Sequence, residues 1–490
     1  MLTHDNARLH DAARRPSAPS SRPRHHYLKA SLPIPTPDPW QDTKLFAGKS
    51  AAERKQLFDL NKNCAIVFVG SHLRVMSRPG PNSPYMYISL RDARTLEANR
   101  IVMIKGEGGG TKKLKMFDEW LSSPDRREYD SVKFAPGVDD PRIYNLFEGW
   151  AVKPVKGDWS LLRDHLRLAI CQGNDDQDRW MMAWLAQMFQ SPGEKIPVAV
   201  VIRGMKGTGK SIVFDFIQRL MPRYFYKVAD GNRALGNFNA HYESTIMLVM
   251  EEAFWAGNQG KESVLKDLIT SPLLVVERKG IDPYMAKNHM RVAMISNERW
   301  VVPATHDERR FAVFDCGDQH RGDFEYFTAM SNQMEAGGLE AMLYDLLHYE
   351  PENGWDLLRQ PPATSGLREQ IVDSLRGIDA FMYGLIENGQ YECDECDDDG
   401  IFLSEKHETA ISLKNLRIAV QDYLSDQIGA HKSANFERIE RSVREWFGAS
   451  IELRPVTKNK VKWAIFPPLV DCRQHIRRVK GIEITPHSIN

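Results

Sequence analysis

Two stretches of this chain carry residue types, at a spacing, that suit chemistry on phosphate. The first is Gly204-Met205-Lys206-Gly207-Thr208-Gly209-Lys210-Ser211, a G-x-x-x-x-G-K-S run. Glycines at these positions let backbone N–H groups turn inward around a phosphate. A lysine at the seventh residue's place reaches the outer phosphates, and the hydroxyl beside it is a ligand for Mg²⁺. Lys210 and Ser211 stand at those two places. The second stretch is Glu251-Glu252, two carboxylates closing the apolar run 245–250. Acids delivered by a strand beside a phosphate loop serve a metal and an attacking water. The spacing therefore predicts Glu251 on Mg²⁺ and Glu252 orienting or deprotonating the water.

The elements that must hold these residues are also legible. The apolar run 198–202 precedes the glycine loop, and Ile212, Val213, Phe214, Phe216 and Ile217 follow it, so the order is strand, turn, amphipathic helix. The helix offers its positive end to an anion. A strand over 290–295 ends in Ser296-Asn297, which puts a side-chain amide beside the γ-phosphate and the water. Arg309 and Arg310 precede an apolar strand at 311–314, where they either reach a neighbouring subunit's site as a charge clamp or form surface ion pairs. Between apolar runs at 274–277 and 290–295 lie Arg278, Lys279, Gly280, Tyr284, Lys287 and His289. They read as a basic, aromatic hairpin that either follows a nucleic-acid backbone or is simply solvated.

Composition narrows the class. The 490 residues include 65 Lys plus Arg and 65 Asp plus Glu, so net charge points to neither a nucleic acid nor a membrane. No apolar run approaches the ~20 residues that span a bilayer. The six cysteines do not make a disulfide framework, and a cytoplasmic protein with reduced thiols is expected. Cys393 and Cys396 form a lone C-x-x-C, with His407 the nearest further candidate ligand; they read as loop cysteines. Gly106 to Gly110 lacks the Lys-Ser pair and reads as a loop.

The expected organisation is multidomain α/β. A basic tail and Pro-rich linker (1–44) lead to an α+β accessory domain (45–155), to which the residues assign no chemistry. A helical segment (156–195) precedes a P-loop NTPase core (196–350). A helical, acidic connector (351–408) joins it to a C-terminal domain (409–490). There two helices and a hairpin tipped by Lys458 and Lys460 suggest a winged helix.

Residues 196–316 resemble the ATPase of the phage and plasmid primase–helicase family, in helicase superfamily 3. The residues that carry the resemblance are the 204–211 loop, Met250-Glu251-Glu252-Ala253-Phe254-Trp255-Ala256-Gly257, Leu265-Lys266-Asp267-Leu268-Ile269-Thr270, Glu277-Arg278-Lys279-Gly280, Ser296-Asn297 and Asp307-Glu308-Arg309-Arg310-Phe311. The family's usual acidic pair is Asp-Glu, and Glu251 departs from it. The resemblance implies a modified AAA+ core working as a homo-oligomeric ring, usually a hexamer, on single-stranded or forked DNA. It makes Asn297 the sensor, Lys279 a member of the DNA-contacting hairpin, and Arg309 or Arg310 the finger acting in trans. No strand bearing Asp-x-Asp precedes the core, so a separate primase is the expected partner. The resulting expectation is an ATP- and Mg²⁺-dependent DNA helicase. The alternatives are a remodelling or loading ATPase and an initiator DNA-binding protein.

Overall fold

The structure is a computed structural model that describes residues 44–69, 72–78, 85–105, 110–229, 239–251, 259–278, 281–352, 354–426, 435–456 and 459–484. Its centre is a five-stranded sheet of β1 (Ala199–Arg203), β2 (Phe225–Val228), β3 (Met247–Glu251), β4 (Arg291–Ser296) and β5 (Phe311–Asp315). All neighbours run parallel, in the order β2-β3-β4-β1-β5. The sequences of β1 and β4 leave no exposed position, as expected for strands covered on both faces.

Alternation divides the side chains between two layers. Val200, Ile202, Met247, Val249, Ala293, Ile295, Ala312 and Phe314 face the helices Asp175–Gln190, Ile212–Leu220 and Leu339–His348. Ala199, Val201, Leu248, Met250, Val292, Met294, Phe311 and Val313 face the helices Gln259–Thr270 and Ser365–Asp373. The insertion of β4 between β1 and β3 brings three strand ends together at one edge. Ligands of open parallel sheets sit outside such carboxyl ends.

The N-terminal region has a small core of its own around Trp120, whose indole N–H donates to Asn61 Oδ1 at 2.6 Å. Its strands Cys64–Val69 and His72–Ser77 pair antiparallel. The helix Ala51–Asn63 is not apparent from apolar spacing; its signal is the capping box Ser50-x-x-Glu53. In the C-terminal region, the helices Leu413–Asp426 and Phe436–Phe447 and the hairpin Ser450–Val456/Asn459–Phe466 follow the expected order. A strand at Thr409–Ser412 and a final helix at Leu469–Lys480 add to them. The helix Ile378–Asn388 packs there too: Asp379 accepts the Trp446 indole N–H at 2.8 Å. Cys393 and Cys396 lie in the turn that follows the strand Gln390–Glu392, as loop cysteines, with both side chains buried. Among the described residues no cluster of His, Cys, Asp and Glu could hold a metal ion, and no helix is long and apolar enough to cross a membrane.

One expected pairing is corrected. The basic segment does not link 274–277 to the strand at 290–295. Leu273–Arg278 instead pairs antiparallel with Ile281–Lys287, and β4 joins the parallel sheet on its own. The hairpin thus forms a separate two-stranded ribbon, with Leu274 and Val276 on one face packed into the core.

Candidate functional site

The glycine loop joins the carboxyl end of β1 to the helix Ile212–Leu220. All three of its glycines have positive φ, and at two of them a Cβ would also clash. Gly204 has φ +148°, and a Cβ there would lie 2.9 Å from the Cys316 carbonyl oxygen. Gly209 has φ +83°, and its Cβ would meet Phe327 at 2.6 Å and His165 at 2.7 Å. His165 Nε2 lies 3.3 Å from the Gly209 carbonyl oxygen. Burial pushes this imidazole down to about 4, so it supports the loop as a neutral ring.

Lys210 is buried and bends back over the loop. Its ammonium donates to the carbonyls of Gly204 at 2.8 Å and Met205 at 2.5 Å, and to Asn297 Oδ1 at 3.0 Å. Burial holds its pKa below the ordinary lysine value. The loop lysine and the amide after β4, 87 positions apart, therefore meet directly. Ser211 closes the loop, and Thr208 Oγ1 donates to the Met205 carbonyl at 3.0 Å.

Glu251 ends β3 beside them, and its carboxylate accepts an ion pair from Lys227 at 2.7 Å. Lys227 also bonds Asp215 at 3.1 Å, in the helix that follows the loop. Burial works against the Lys227 charge, but the bonds to Glu251 and Asp215 outweigh it and raise its pKa. A cavity of about 710 Å³ joins these groups. Its walls are the loop from Lys206 to Ile212, then Asp215, Glu251 and Asn297, then Gly322, Phe324 and Phe327 after β5. Its size suits a nucleotide.

The remaining expected residues fall elsewhere. Glu252 and Lys279 lie outside the described residues. Lys287 is exposed at the base of the hairpin, 3.7 Å from Glu194. His289 is 2% exposed and packs edge-on against Phe134, so it has no surface to offer DNA and leaves the candidate contacts. Arg309 and Arg310 do not line their own chain's cavity. The structure separates the two. The buried Glu308 carboxylate accepts the backbone N–H of Arg309 at 2.9 Å and of Arg310 at 2.7 Å, and it holds the Arg310 guanidinium at 3.4 Å. The Arg309 side chain is exposed.

Sequence reasoning did not anticipate Asp215, Lys227, Phe324 or His165 as members of the site. It also missed a brace behind it. Arg203, the last residue of β1, pairs with Asp315 and with Glu369 at 2.6 Å, and donates to the Arg299 carbonyl at 2.7 Å. Fully buried Gln370 accepts the N–H groups of Val301 at 2.6 Å and Val302 at 3.0 Å, and donates to the Arg299 carbonyl at 2.6 Å.

Comparison with known proteins gives three findings. Residues 202–310 match a family described as being of unknown function, DUF5906. A DNA primase-polymerase of Nitratiruptor phage NrS-1 is 25% identical over 219 residues, 43% of this chain and 29% of that protein. The match thus spans less than a third of that relative's length. The solved apo structure of the NrS-1 C-terminal region superposes with a TM-score of 0.58 at 16% identity, covering 85% of this chain and all of that one. A second, A-form apo structure of the same region gives 0.57, with 83% and 97% covered. At these identities the likeness to the solved structures is one of fold: a mixed α/β architecture with a parallel sheet.

Proposed function

We propose that this chain is the ATP-dependent DNA helicase of a phage-type replication system. The observation that carries the proposal is the meeting of Lys210 with Asn297 at a parallel-sheet edge, over a cavity walled by a glycine loop and a strand-end carboxylate. In this reading the 204–211 loop is a phosphate-binding loop. Its N–H groups and the following helix end take the phosphates, and Lys210 exchanges its carbonyl partners for phosphate oxygens. The exchange keeps the ammonium bonded to oxygen throughout, and it replaces neutral carbonyls by charged oxygens, which make the stronger bonds. Asn297, released from Lys210, is then placed to orient the γ-phosphate and the attacking water. Glu252 is the proposed base for that water.

Mg²⁺ fits the donors present. Ser211 and Glu251 supply hard oxygens, and the Lys227 ammonium already between Glu251 and Asp215 shows that this corner attracts positive charge. Bound there, the ion would neutralise charge on the phosphate oxygens. Arg309 is the proposed finger. It is exposed and mounted on a stretch whose backbone Glu308 fixes, so it can reach a neighbouring subunit's site, while Arg310 holds that mount through Glu308. This requires a homo-oligomeric AAA+-type ring, with a hexamer the expected size. Lys287 on the two-stranded ribbon, Lys279, and the C-terminal winged-helix-like region are the proposed contacts to single-stranded or forked DNA. The similarity to a phage primase-polymerase supports a role in replication; a separate primase is the proposed partner and the cytoplasm the proposed site of action.

The test is ATP hydrolysis with and without single-stranded DNA, with a forked duplex followed in the same reaction. Stimulated hydrolysis with strand separation is expected. Stimulated hydrolysis without unwinding would replace the helicase by a loader or remodeller. No hydrolysis by folded, assembled protein would overturn the motor.

A further inference from the structure

Phe324 is the most exposed of the large apolar side chains among the described residues, at 83%. Single exposed apolar residues need no explanation, but this one lines the same cavity as Lys210, Ser211 and Asn297. Its mount is firm. Phe324 opens the helix Phe324–Gln333, whose N-cap Asp323 accepts the Tyr326 N–H at 3.0 Å. The Gly322 N–H donates to the Gly207 carbonyl at 3.0 Å, which bonds this segment to the glycine loop itself. One turn on, Phe327 rests against Gly209. His320 stacks on Tyr326 with ring centroids 3.7 Å apart and the ring planes almost parallel, and so stiffens the same turn. An aromatic face is thus held open at the wall of a cavity whose other features suit a triphosphate.

We propose that Phe324 is the stacking platform for the nucleobase of the bound nucleotide, a proposal that rests on the phosphate-binding reading of the 204–211 loop. Stacking engages the π-face that every base presents. The polar side chains of this turn are engaged locally: Asp323 bonds the Tyr326 N–H and the His320 ring, and the Tyr326 hydroxyl meets the His165 ring. The site therefore grips bases without distinguishing them: ATP and GTP bind alike, and CTP, with a smaller ring, binds more weakly.

The experiment is calorimetric binding of ATP, GTP, CTP and inorganic tripolyphosphate to the full chain, using the native protein, Phe324→Ala, Phe324→Trp and Lys210→Ala. Phe324→Ala is expected to weaken ATP and GTP roughly 5- to 100-fold, leave tripolyphosphate unchanged, and raise KM without lowering kcat. Phe324→Trp is expected to restore binding. Unchanged ATP affinity in Phe324→Ala, with both ligands lost in Lys210→Ala, would overturn the platform and leave the phosphate loop standing. Parallel loss of tripolyphosphate in Phe324→Ala would make the ring a structural support and overturn the proposal. A drop in oligomer size by sedimentation, with ATP affinity intact, would assign the ring to a subunit interface instead. Absence of both ATP and tripolyphosphate binding in the native protein would remove the phosphate loop and the platform together.

Discussion

The two ends of the central sheet use the same bonding for different ends. At the carboxyl edge Lys210 is held by two carbonyls and the Asn297 amide, with a cavity alongside. At the amino edge Arg291, the first residue of β4, is fully buried. It donates to the carbonyls of Pro192 at 3.1 Å, His289 at 3.0 Å and Ser191 at 2.9 Å, and also to Glu194 and Gln187. Beside it Lys195 donates to the carbonyls of Leu268 at 3.0 Å and Met290 at 3.1 Å. A buried cation surrounded by carbonyls is therefore not by itself a site. What separates the two is replaceability. Lys210 lines a cavity from which another oxygen can displace its partners, whereas Arg291 fastens the Pro192 turn to the sheet and is not among the residues that line that cavity.

The sharpest test of that contrast is a pair of substitutions with opposite readouts. Lys210→Ala should lower ATP hydrolysis by on the order of 10²- to 10³-fold or more while leaving the denaturation midpoint close to native. Arg291→Leu should destabilise the fold by about 3–5 kcal/mol, because several buried carbonyls lose their donor, while any folded fraction keeps its turnover. Urea titration and a phosphate-release assay on both variants decide it. If Lys210→Ala proved the less stable of the two, the distinction between edges would collapse.

The next effect is on turnover alone. Arg309→Ala should abolish DNA-stimulated hydrolysis with nucleotide binding retained. Arg310→Ala should reduce it less, since it acts by way of Glu308. Mixing each variant with Lys210→Ala protein checks the assignment: a finger acting in trans predicts that Arg309→Ala and Lys210→Ala subunits restore some activity to each other.

A smaller effect follows from protons. Burial pushes Lys195 down to about 7, against ~10.4 in an unfolded chain. Between those values the unfolded state binds more protons, so stability should climb with pH from about 7 towards 10 and be lowest below 7. Lys195→Met should flatten that climb in urea midpoints measured across the range. A climb of equal slope in the variant would mean that another group is responsible. Smallest of all is the expected effect at Lys227. Lys227→Met removes the ammonium that neutralises Glu251, so half-saturation of hydrolysis should need a few-fold less Mg²⁺. A higher requirement would show the lysine to be a support of the site and not a competitor in it.

The sequence foretold what is local in the chain. The glycine loop, its flanking strand and helix, and Asn297 at a strand end all lie within short patterned runs. Lys227 could not be seen this way. It belongs to the site because β2 pairs with β3 in a register that sets Lys227 opposite Val249, one same-face step from Glu251. That register is a property of two strands, not of either. Phe324 was equally hidden, since nothing in Gly322-Asp323-Phe324 says that the segment returns to Gly207. The hairpin was misjudged because Leu273–Arg278 and Ile281–Lys287 satisfy each other, which frees the more apolar β4 for the fully buried sheet. His289 looked like a basic surface residue, yet it lies in the short link into β4, where Phe134 covers it.

Gln370 has a consequence for the placing of Arg309. The stretch that begins at Asn297, in touch with Lys210, ends at Arg309 on the surface, and its middle is pinned by one amide that spends three of its hydrogen-bonding positions on the backbone of 299–302. A stretch pinned in this way has both of its ends referred to one fixed point, the helix Ser365–Asp373 that carries Gln370. In the proposed ring, the placing of Arg309 against a neighbour's site would then depend on a side chain that does not line the cavity.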